Sequence, residues 1–118
     1  MTYENYLVSI ESNGKKEEYR VTINQDTEKN LYFYKEPNKT NVIFDYKNNV
    51  LKRDNEEMNL EFKFKLKEKT INNIYIKELN NVINIEIYTE DIIHDDNRIV
   101  VVYEMNNTKF IYKIEKED

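Results

Sequence analysis

The stretch "MNLEFKFKLK", residues 58–67, constrains the fold more than any other part of the chain. Apolar residues occupy every second position, and each position between them is polar. Successive side chains of a β-strand point to opposite faces, so this alternation predicts a strand with one face in a core and the other in water. The apolar positions are Met58, Leu60, Phe62, Phe64 and Leu66. The chain must therefore build a sheet that can cover this face.

Similar alternation recurs along the chain, in segments such as "EEYRVTINQ", "TNVIFDYK" and "TKFIYKIE". The segments are separated by polar stretches rich in Asn, while Gly and Pro occur once each. Because Asn tolerates positive φ, we interpret "NG" at 13–14 and the "NN" pairs at 48–49, 72–73, 80–81 and 106–107 as turns. The pattern predicts about ten short strands and little or no helix.

The fold class follows from the number and spacing of these strands. Short strands joined by tight turns are typical of an antiparallel meander, which must close or pack on itself to protect its edges. We therefore expect residues 1–118 to form one all-β domain, an up-and-down antiparallel barrel of about 8–10 strands. A β-sandwich of similar size is the alternative, which periodicity does not exclude.

Three segments of the chain carry a family resemblance: "TNVIFDYKNNVLKRDNEEMNLEF", "IYIKELNNVINIEIYTEDI" and "RIVVVYEMNNTKFIYKIE". From Leu7 to Ile114, the order of these features resembles the YwiB-like family of small bacterial domains. The chain departs from the family pattern at Asn55, where the family tends to have Gly, and at residues 77–80, where a Thr-Pro-aromatic-Gly turn is replaced by Lys77, Glu78, Leu79 and Asn80. The resemblance implies a bacterial origin, a lipocalin-like (calycin-type) barrel and capacity for a small ligand, but no established activity.

Composition limits the chemistry that the chain can carry. Without cysteine it has no disulfide, thiolate nucleophile or zinc–thiolate site, and with one glycine it has no Gly-rich phosphate loop. The one histidine, His94, lies in the acidic turn "EDIIHDDN", which lacks the spacing of a calcium loop. We therefore expect a non-enzymatic protein with no cofactor and no metal.

The beginning of the sequence and its hydropathy bear on location. "MTYENYLVSIESNG" has no basic segment followed by an apolar one, and no run approaches the roughly 18–20 apolar residues that span a bilayer. The net charge of −5 favours solubility. We expect a cytoplasmic protein that does not contact a membrane.

Aromatic side chains are the candidates for the barrel interior. An eight-stranded barrel either fills itself with side chains or holds one small ligand. Bulky residues at nearly every inward position favour a filled core, although a cavity for a small apolar or amphipathic ligand stays open. The candidate lining residues are Phe33, Phe44, Met58, Phe62 and Phe64.

Two surfaces are the alternatives to an internal site. Tyrosine is favoured at interfaces, so Tyr32, Tyr34, Tyr75 and Tyr88 are candidates for contact with a protein partner. A basic row could instead follow a nucleic-acid backbone. Its residues are Arg53, Lys63, Lys65 and Lys67.

We favour a small ligand or a protein partner over nucleic acid, because lysines opposite an apolar face are the usual solvated side of a strand. Monomer and homodimer both stay open.

Overall fold

The computed structural model describes residues 2–117, which form ten β-strands. Within this range no helix is long and apolar enough to cross a membrane. The strands are β1 (Thr2–Ser12), β2 (Lys15–Asp26), β3 (Leu31–Lys35), β4 (Asn41–Asp45), β5 (Val50–Asp54), β6 (Met58–Lys63), β7 (Lys69–Ile76), β8 (Asn81–His94), β9 (Arg98–Met105) and β10 (Thr108–Lys116).

The ten strands form a closed up-and-down barrel. Each strand pairs antiparallel with the strand before it, and β10 pairs with β1, where Tyr6 lies opposite Lys116 and Ser12 opposite Phe110. Because of this closure, every strand has a strand neighbour on both sides over at least part of its length, which limits the edge that is open to uncontrolled strand pairing. The predicted all-β barrel is confirmed, and the sandwich alternative is wrong.

Asparagine makes most of the turns, as predicted. Positive φ is found at Asn13 with Gly14 and at Asn106 with Asn107, which are the two-residue turns of hairpins. Asn30, Asn49 and Asn80 also adopt positive φ in longer turns.

The predicted turn at 72–73 is wrong, because both residues lie within β7. The Asn72 side chain is buried, and its Oδ1 accepts a hydrogen bond of 2.7 Å from the backbone N–H of Lys63. The β6–β7 ladder ends at the pair of Glu61 with Asn73, so the Asn72 amide continues the seam beyond the last backbone pair.

The strand predicted over 58–67 is shorter than its alternation. β6 ends at Lys63, after which Phe64 turns into the core and donates its N–H to the Asn49 carbonyl at 2.9 Å. Lys67 adopts a φ of 61°, and Leu66 is 50% exposed beside Thr89 of β8. Alternation therefore persists through a loop that has left the sheet.

Side chains fill the barrel interior. Phe62 and Phe64 meet edge to face with ring centroids 6.5 Å apart, and Phe64 also lies 5.0 Å from the ring of Tyr103. The residues exposed by less than 2% include Phe44, Ile23, Ile87, Ile99, Ile114, Val8, Val42 and Val101. The predicted inward positions of Phe44, Phe62 and Phe64 are confirmed.

The faces of β3 are reversed relative to the prediction. Tyr32 pairs with Phe44, and Tyr34 pairs with Val42, so both tyrosines point into the barrel and are buried. Phe33 pairs with Ile43 on the outer face and is only partly buried. The segment "LYFYK" carries aromatic residues on both faces, so its alternation does not reveal which one is inside.

This packing predicts unequal costs for two Phe→Ala substitutions. Phe44→Ala removes a fully buried ring, so we expect it to lower the free energy of unfolding by about 3–5 kcal/mol. Phe33→Ala, the control on the outer face, should cost about 1 kcal/mol. Urea unfolding measures the free energy of unfolding of both variants, and its dependence on urea concentration should be unchanged. Equal losses for the two variants would contradict the assignment of the inner face.

Candidate functional site: the upper end of the barrel

The two ends of the barrel differ in how they are closed. We call the end with the loops at 13–14, 36–40, 55–57, 77–80 and 106–107 the upper end, and the opposite end the lower end. At the lower end a row of rings joins Tyr6, Tyr32, Tyr46 and His94, with neighbouring centroids 5.8, 4.9 and 5.0 Å apart. The upper end combines polar and partly buried apolar side chains, so it is the end that presents a mixed surface to solvent.

Arg53 lies on the inner face of the barrel wall at the upper end. In β5 it shares the face of buried Leu51, and its cross-strand neighbours Val42 and Leu60 are both buried. Its side chain is nevertheless 33% exposed, because β5 ends one residue later at Asp54. The placement of Arg53 in an outward basic row is therefore wrong.

Glu36 joins Arg53 to Tyr19. The Arg53 Nη2 donates a hydrogen bond to Glu36 Oε1, and the Tyr19 hydroxyl donates to Glu36 Oε2. The Glu36 side chain is only 10% exposed, so its two oxygens are held by the protein rather than by bulk water. Burial by itself would lower the pKa of Arg53. The hydrogen bond and negative charge of Glu36 outweigh this effect, so the pKa of Arg53 is raised above its ordinary value. We call Tyr19, Glu36 and Arg53 the Arg53 cluster.

Two more phenols lie beneath the Arg53 cluster. The hydroxyls of Tyr34 and Tyr112 are hydrogen-bonded to each other in the buried interior. Burial, and then the neighbouring Tyr112 and Tyr19, raise the pKa of Tyr34 well above 10. Burial raises the pKa of Tyr103 to about 12, and the positive charge of Arg53 opposes that rise. The inner wall near Arg53 is therefore lined by neutral hydroxyl groups.

Short loops fix the position of Glu36. In the loop at 36–40, Glu36 N–H donates to the Thr40 carbonyl at 2.9 Å, and Lys39 N–H donates to the Glu36 carbonyl at 2.9 Å. Asn55 ties the next loop to this one, since its Nδ2 donates to the Thr40 Oγ1 at 3.0 Å. The Asn55 Oδ1 also accepts from the N–H of Met58 at 2.9 Å. Asn55 thus orders two loops with its side chain.

Lys77 joins a third loop to the same group. Its Nζ donates to Asp54 Oδ1 at 2.9 Å and to the Asn55 carbonyl at 2.6 Å. Its backbone N–H donates to the Glu57 carbonyl at 2.9 Å. Asn55 and Lys77, two of the positions that depart from the YwiB-like pattern, therefore hold the loops that surround Arg53.

The opposite half of the upper end is apolar. Five inward-facing side chains near the upper ends of β6 to β10 pack against the core but are only partly buried. They are Met58, Ile74, Ile85, Met105 and Phe110. Met58 occupies the inner position above Leu60, which pairs with Arg53, so the polar and apolar halves meet there. We call this combined surface the mouth.

The wall of the barrel is weakest beside the Arg53 cluster. β2 and β3 share only three residue pairs, from Asn24 with Phe33 to Asp26 with Leu31. Residues 15–23 of β2 therefore have β1 as their strand partner and face a gap toward β3. The contact from Tyr19 to Glu36 spans this gap with side chains.

The predicted ligand-lining residues and the predicted basic residues do not lie together in the structure. Among the predicted ligand-lining residues, Met58 lies in the mouth, while Phe44, Phe62 and Phe64 are packed in the interior below it. Lys63, Lys65 and Lys67 are exposed, but β6 ends at the first of them, so the three do not share one strand face. With Arg53 turned inward, the predicted basic row is not one surface.

Only two of the four surface tyrosines are where they were predicted. Tyr75 lies on the outer face of β7, where its hydroxyl donates to Asn80 Oδ1 at 2.7 Å, and Tyr88 lies on the outer face of β8. The placement of Tyr32 and Tyr34 on the surface is wrong because both lie in the core.

The acidic turn around His94 forms its own hydrogen bonds. Asp95 Oδ1 accepts from the N–H groups of Asn97 and Arg98 at 2.9 and 3.1 Å, and these bonds lower the pKa of Asp95. Across residues 2–117, no group of three or more His, Asp or Glu side chains is arranged to hold a metal ion.

Sequence reasoning missed the partners of Arg53, but it had one usable signal. In "VLKR" Arg53 shares the parity of Leu51, which indicates the inner face. Glu36 lies in a loop, and the partial exposure of Met105 and Phe110 depends on where the neighbouring strands end. Periodicity predicts neither loop conformation nor the relative lengths of neighbouring strands.

The site belongs to a closed ten-stranded antiparallel barrel with an amphipathic mouth at one end. A search of protein-family models found no match, and neither did a search of curated proteins. Among solved structures, the chain is similar to the YwiB protein from Bacillus subtilis, with a TM-score of 0.55 and 17% identity. The likeness covers 97% of this chain and 89% of that one. It supports a YwiB-like fold.

The buried phenols predict how the protein responds to alkali. Burial raises the pKa values of Tyr19, Tyr34, Tyr103 and Tyr112, so the folded state favours their protonated forms. Their contribution to stability is complete below the unfolded pKa near 10 and is lost as pH rises toward the folded values. We expect cooperative unfolding above about pH 10, with these phenols ionising in the same step. Phenolate absorbance and near-ultraviolet circular dichroism measure it. Gradual ionisation of all ten tyrosines in a folded protein would contradict this expectation.

Proposed function

We propose that this protein is a non-enzymatic binding protein for a small amphipathic molecule with an anionic head group, bound at the mouth. The observation that carries the proposal is the position of Arg53 on the inner face, partly exposed and next to an apolar rim. We also propose that it acts in the cytoplasm of a bacterium, and the resemblance to the YwiB-like family of bacterial domains supports the bacterial part of this proposal.

The electrostatics of the Arg53 cluster support an anionic head group. A guanidinium partly removed from water needs an anionic partner, and Glu36 supplies one in the free protein. Arg is a bidentate donor to carboxylate and similar groups, and it keeps its charge at all physiological pH values. A ligand carboxylate can therefore exchange with Glu36 or share the guanidinium with it.

The apolar half of the mouth supports a ligand with a hydrocarbon or aromatic body. Two of its five residues, Met58 and Met105, are methionines, whose unbranched side chains adapt to differently shaped ligands. The interior below is filled with rings, so the ligand body lies across the mouth rather than deep in the barrel. This geometry suits a short amphipathic molecule.

The absence of catalysis remains part of the proposal, and the bonding of Glu36 supports it. A general base must be free to accept a proton from its substrate. Glu36 already accepts hydrogen bonds from Arg53 and Tyr19, so both of its carboxylate oxygens are occupied. The cluster is therefore better suited to holding an anion than to transferring a proton.

Contact with a protein partner is a second candidate function. On the outer face of the β7–β8 hairpin, Ile71 is 67% exposed and Val82 is 54% exposed. Together with Tyr75 they border a shallow groove of about 290 Å³. Exposed apolar side chains around a tyrosine are common at protein interfaces.

Ligand binding predicts opposite effects for two substitutions in the Arg53 cluster. Anilinonaphthalene sulfonate, a fluorescent amphipathic anion, is the probe. Arg53→Gln removes the charged donor and should weaken binding about tenfold or more. Glu36→Gln removes the competing carboxylate and should strengthen binding. Lys52→Gln removes a neighbouring charge on the outer face, so it is the matched control and should change little.

Competition identifies the head group, and unfolding curves confirm that each variant is folded. Decanoate should displace the probe more effectively than decanol, which has the same chain length without the charge. Equal probe binding by Arg53→Gln and Lys52→Gln would refute the role of Arg53. No probe binding by the unmodified protein would refute the proposed site.

A further inference from the structure

The β7–β8 hairpin has a free strand edge. Residues 81–86 of β8 pair with β7, but the β8–β9 ladder begins only at Ile87, opposite Met105. The hairpin thus extends past the end of β9. Backbone N–H and C=O groups along this edge have no strand partner on one side, so they can accept another strand.

Exposed apolar side chains are concentrated at this hairpin. Leu79 is 69% exposed, Val82 is 54% exposed and Ile83 is 44% exposed. Ile83 has the inward parity of buried Ile87, and it is exposed because no β9 residue lies beside it. An apolar edge of this kind is an association site unless charges protect it.

The one-sided edges of β2 and β8 differ in charge. The edge of β2 begins with "KKEEYR", residues 15–20, in which five of six positions are charged. The segment "LNNVINI", residues 79–85, carries no charge. Charged side chains protect an edge from pairing, so the β2 edge is the protected one and the β8 edge is not. Two copies of the protein, each with a net charge of −5, can meet at the β8 edge without placing like charges opposite each other.

We propose that residues 82–86 pair antiparallel with the same residues of a second copy, forming a two-fold symmetric dimer with a continuous sheet. With the axis at Asn84, Ile83 of each copy lies opposite Ile85 of the other, and the two Asn84 side chains face each other. This register places apolar residues opposite apolar ones on the inner face, as a symmetric interface requires. The contact is small, so the dimer dissociates in the micromolar range.

The inference does not depend on ligand binding. The dimer is formed by backbone pairing along the edge of β8, whereas the proposed ligand is held by Arg53 of β5 and the inner faces of β6 to β10. Ile85 is the one residue common to both surfaces. Sedimentation reports the first, and probe fluorescence reports the second. Either proposal can fail while the other stands.

Asn84 and Asn73 supply a matched pair of variants. The two residues lie opposite each other on the outer face of the same hairpin, and both are exposed. Asn84 lies at the free edge, whereas Asn73 lies one strand away. Asn84→Lys puts two like charges at the two-fold axis and should raise the dimer dissociation constant about tenfold. Asn73→Lys should leave it unchanged.

Cross-linking tests the position of the axis. The chain has no cysteine, so Asn84→Cys introduces the sole thiol. Residues opposite each other in antiparallel strands have Cα atoms about 4.5–5.5 Å apart, a separation that a disulfide can bridge. Under mild oxidation Asn84→Cys should form a covalent dimer much faster than Asn73→Cys.

Analytical ultracentrifugation of the full chain over a range of concentrations decides the proposal. Concentration-dependent dimerisation that Asn84→Lys weakens and Asn73→Lys does not is the expected result. A monomer at all concentrations would overturn it. A dimer that only Asn73→Lys disrupts would also overturn it, because the contact would then be the outer groove rather than the edge.

Discussion

Closure of the sheet into a barrel is the constraint on which the rest of the structure depends. Once β10 pairs with β1, every strand has one inner face, and the parity of each side chain fixes whether it meets the core or the solvent. The constraint applies equally to polar residues. Arg53 shares the parity of Leu51, so closure directs its guanidinium inward, where it needs the carboxylate of Glu36.

The mouth results from unequal strand lengths rather than from a dedicated cavity. β9 ends at Met105 and β5 at Asp54, while the β7–β8 hairpin continues beyond them. Inner-face residues near these ends are therefore covered on one side only. The same extension that leaves Ile85 partly exposed in the mouth also leaves the edge of β8 unpaired. Part of the mouth and the free edge of β8 therefore have a common structural origin.

Sequence patterns predicted the class of fold and most of the core, because the alternation of apolar residues is local. They failed where local information is ambiguous. In "LYFYK" both faces are aromatic, so the buried positions of Tyr32 and Tyr34 depend on their pairing with Phe44 and Val42. In "FKLK" the alternation continues after β6 has ended, because Phe64 and Leu66 lie in the loop between β6 and β7.

The candidate site was less predictable than the core for a physical reason. Its members come from distant parts of the chain, with Tyr19 and Glu36 separated by 17 residues and Tyr34 and Tyr112 by 78. A single charged residue in an alternating pattern gives no sign of its partner. Only the signal for Arg53 itself, its parity with Leu51, was present in the sequence.

The three-pair ladder between β2 and β3 also bears on how the protein moves. A closed barrel opens most easily where the fewest backbone hydrogen bonds must break, and local openings of low free energy occur at such places. The contact of Tyr19 with Glu36 lies across this seam. Breaking that contact would therefore separate β2 from β3 and expose Arg53 at the same time. The β2–β3 seam is therefore the place where the barrel opens most easily. The Glu36 side chain, which neutralises the partly buried charge of Arg53, also holds this seam closed through Tyr19.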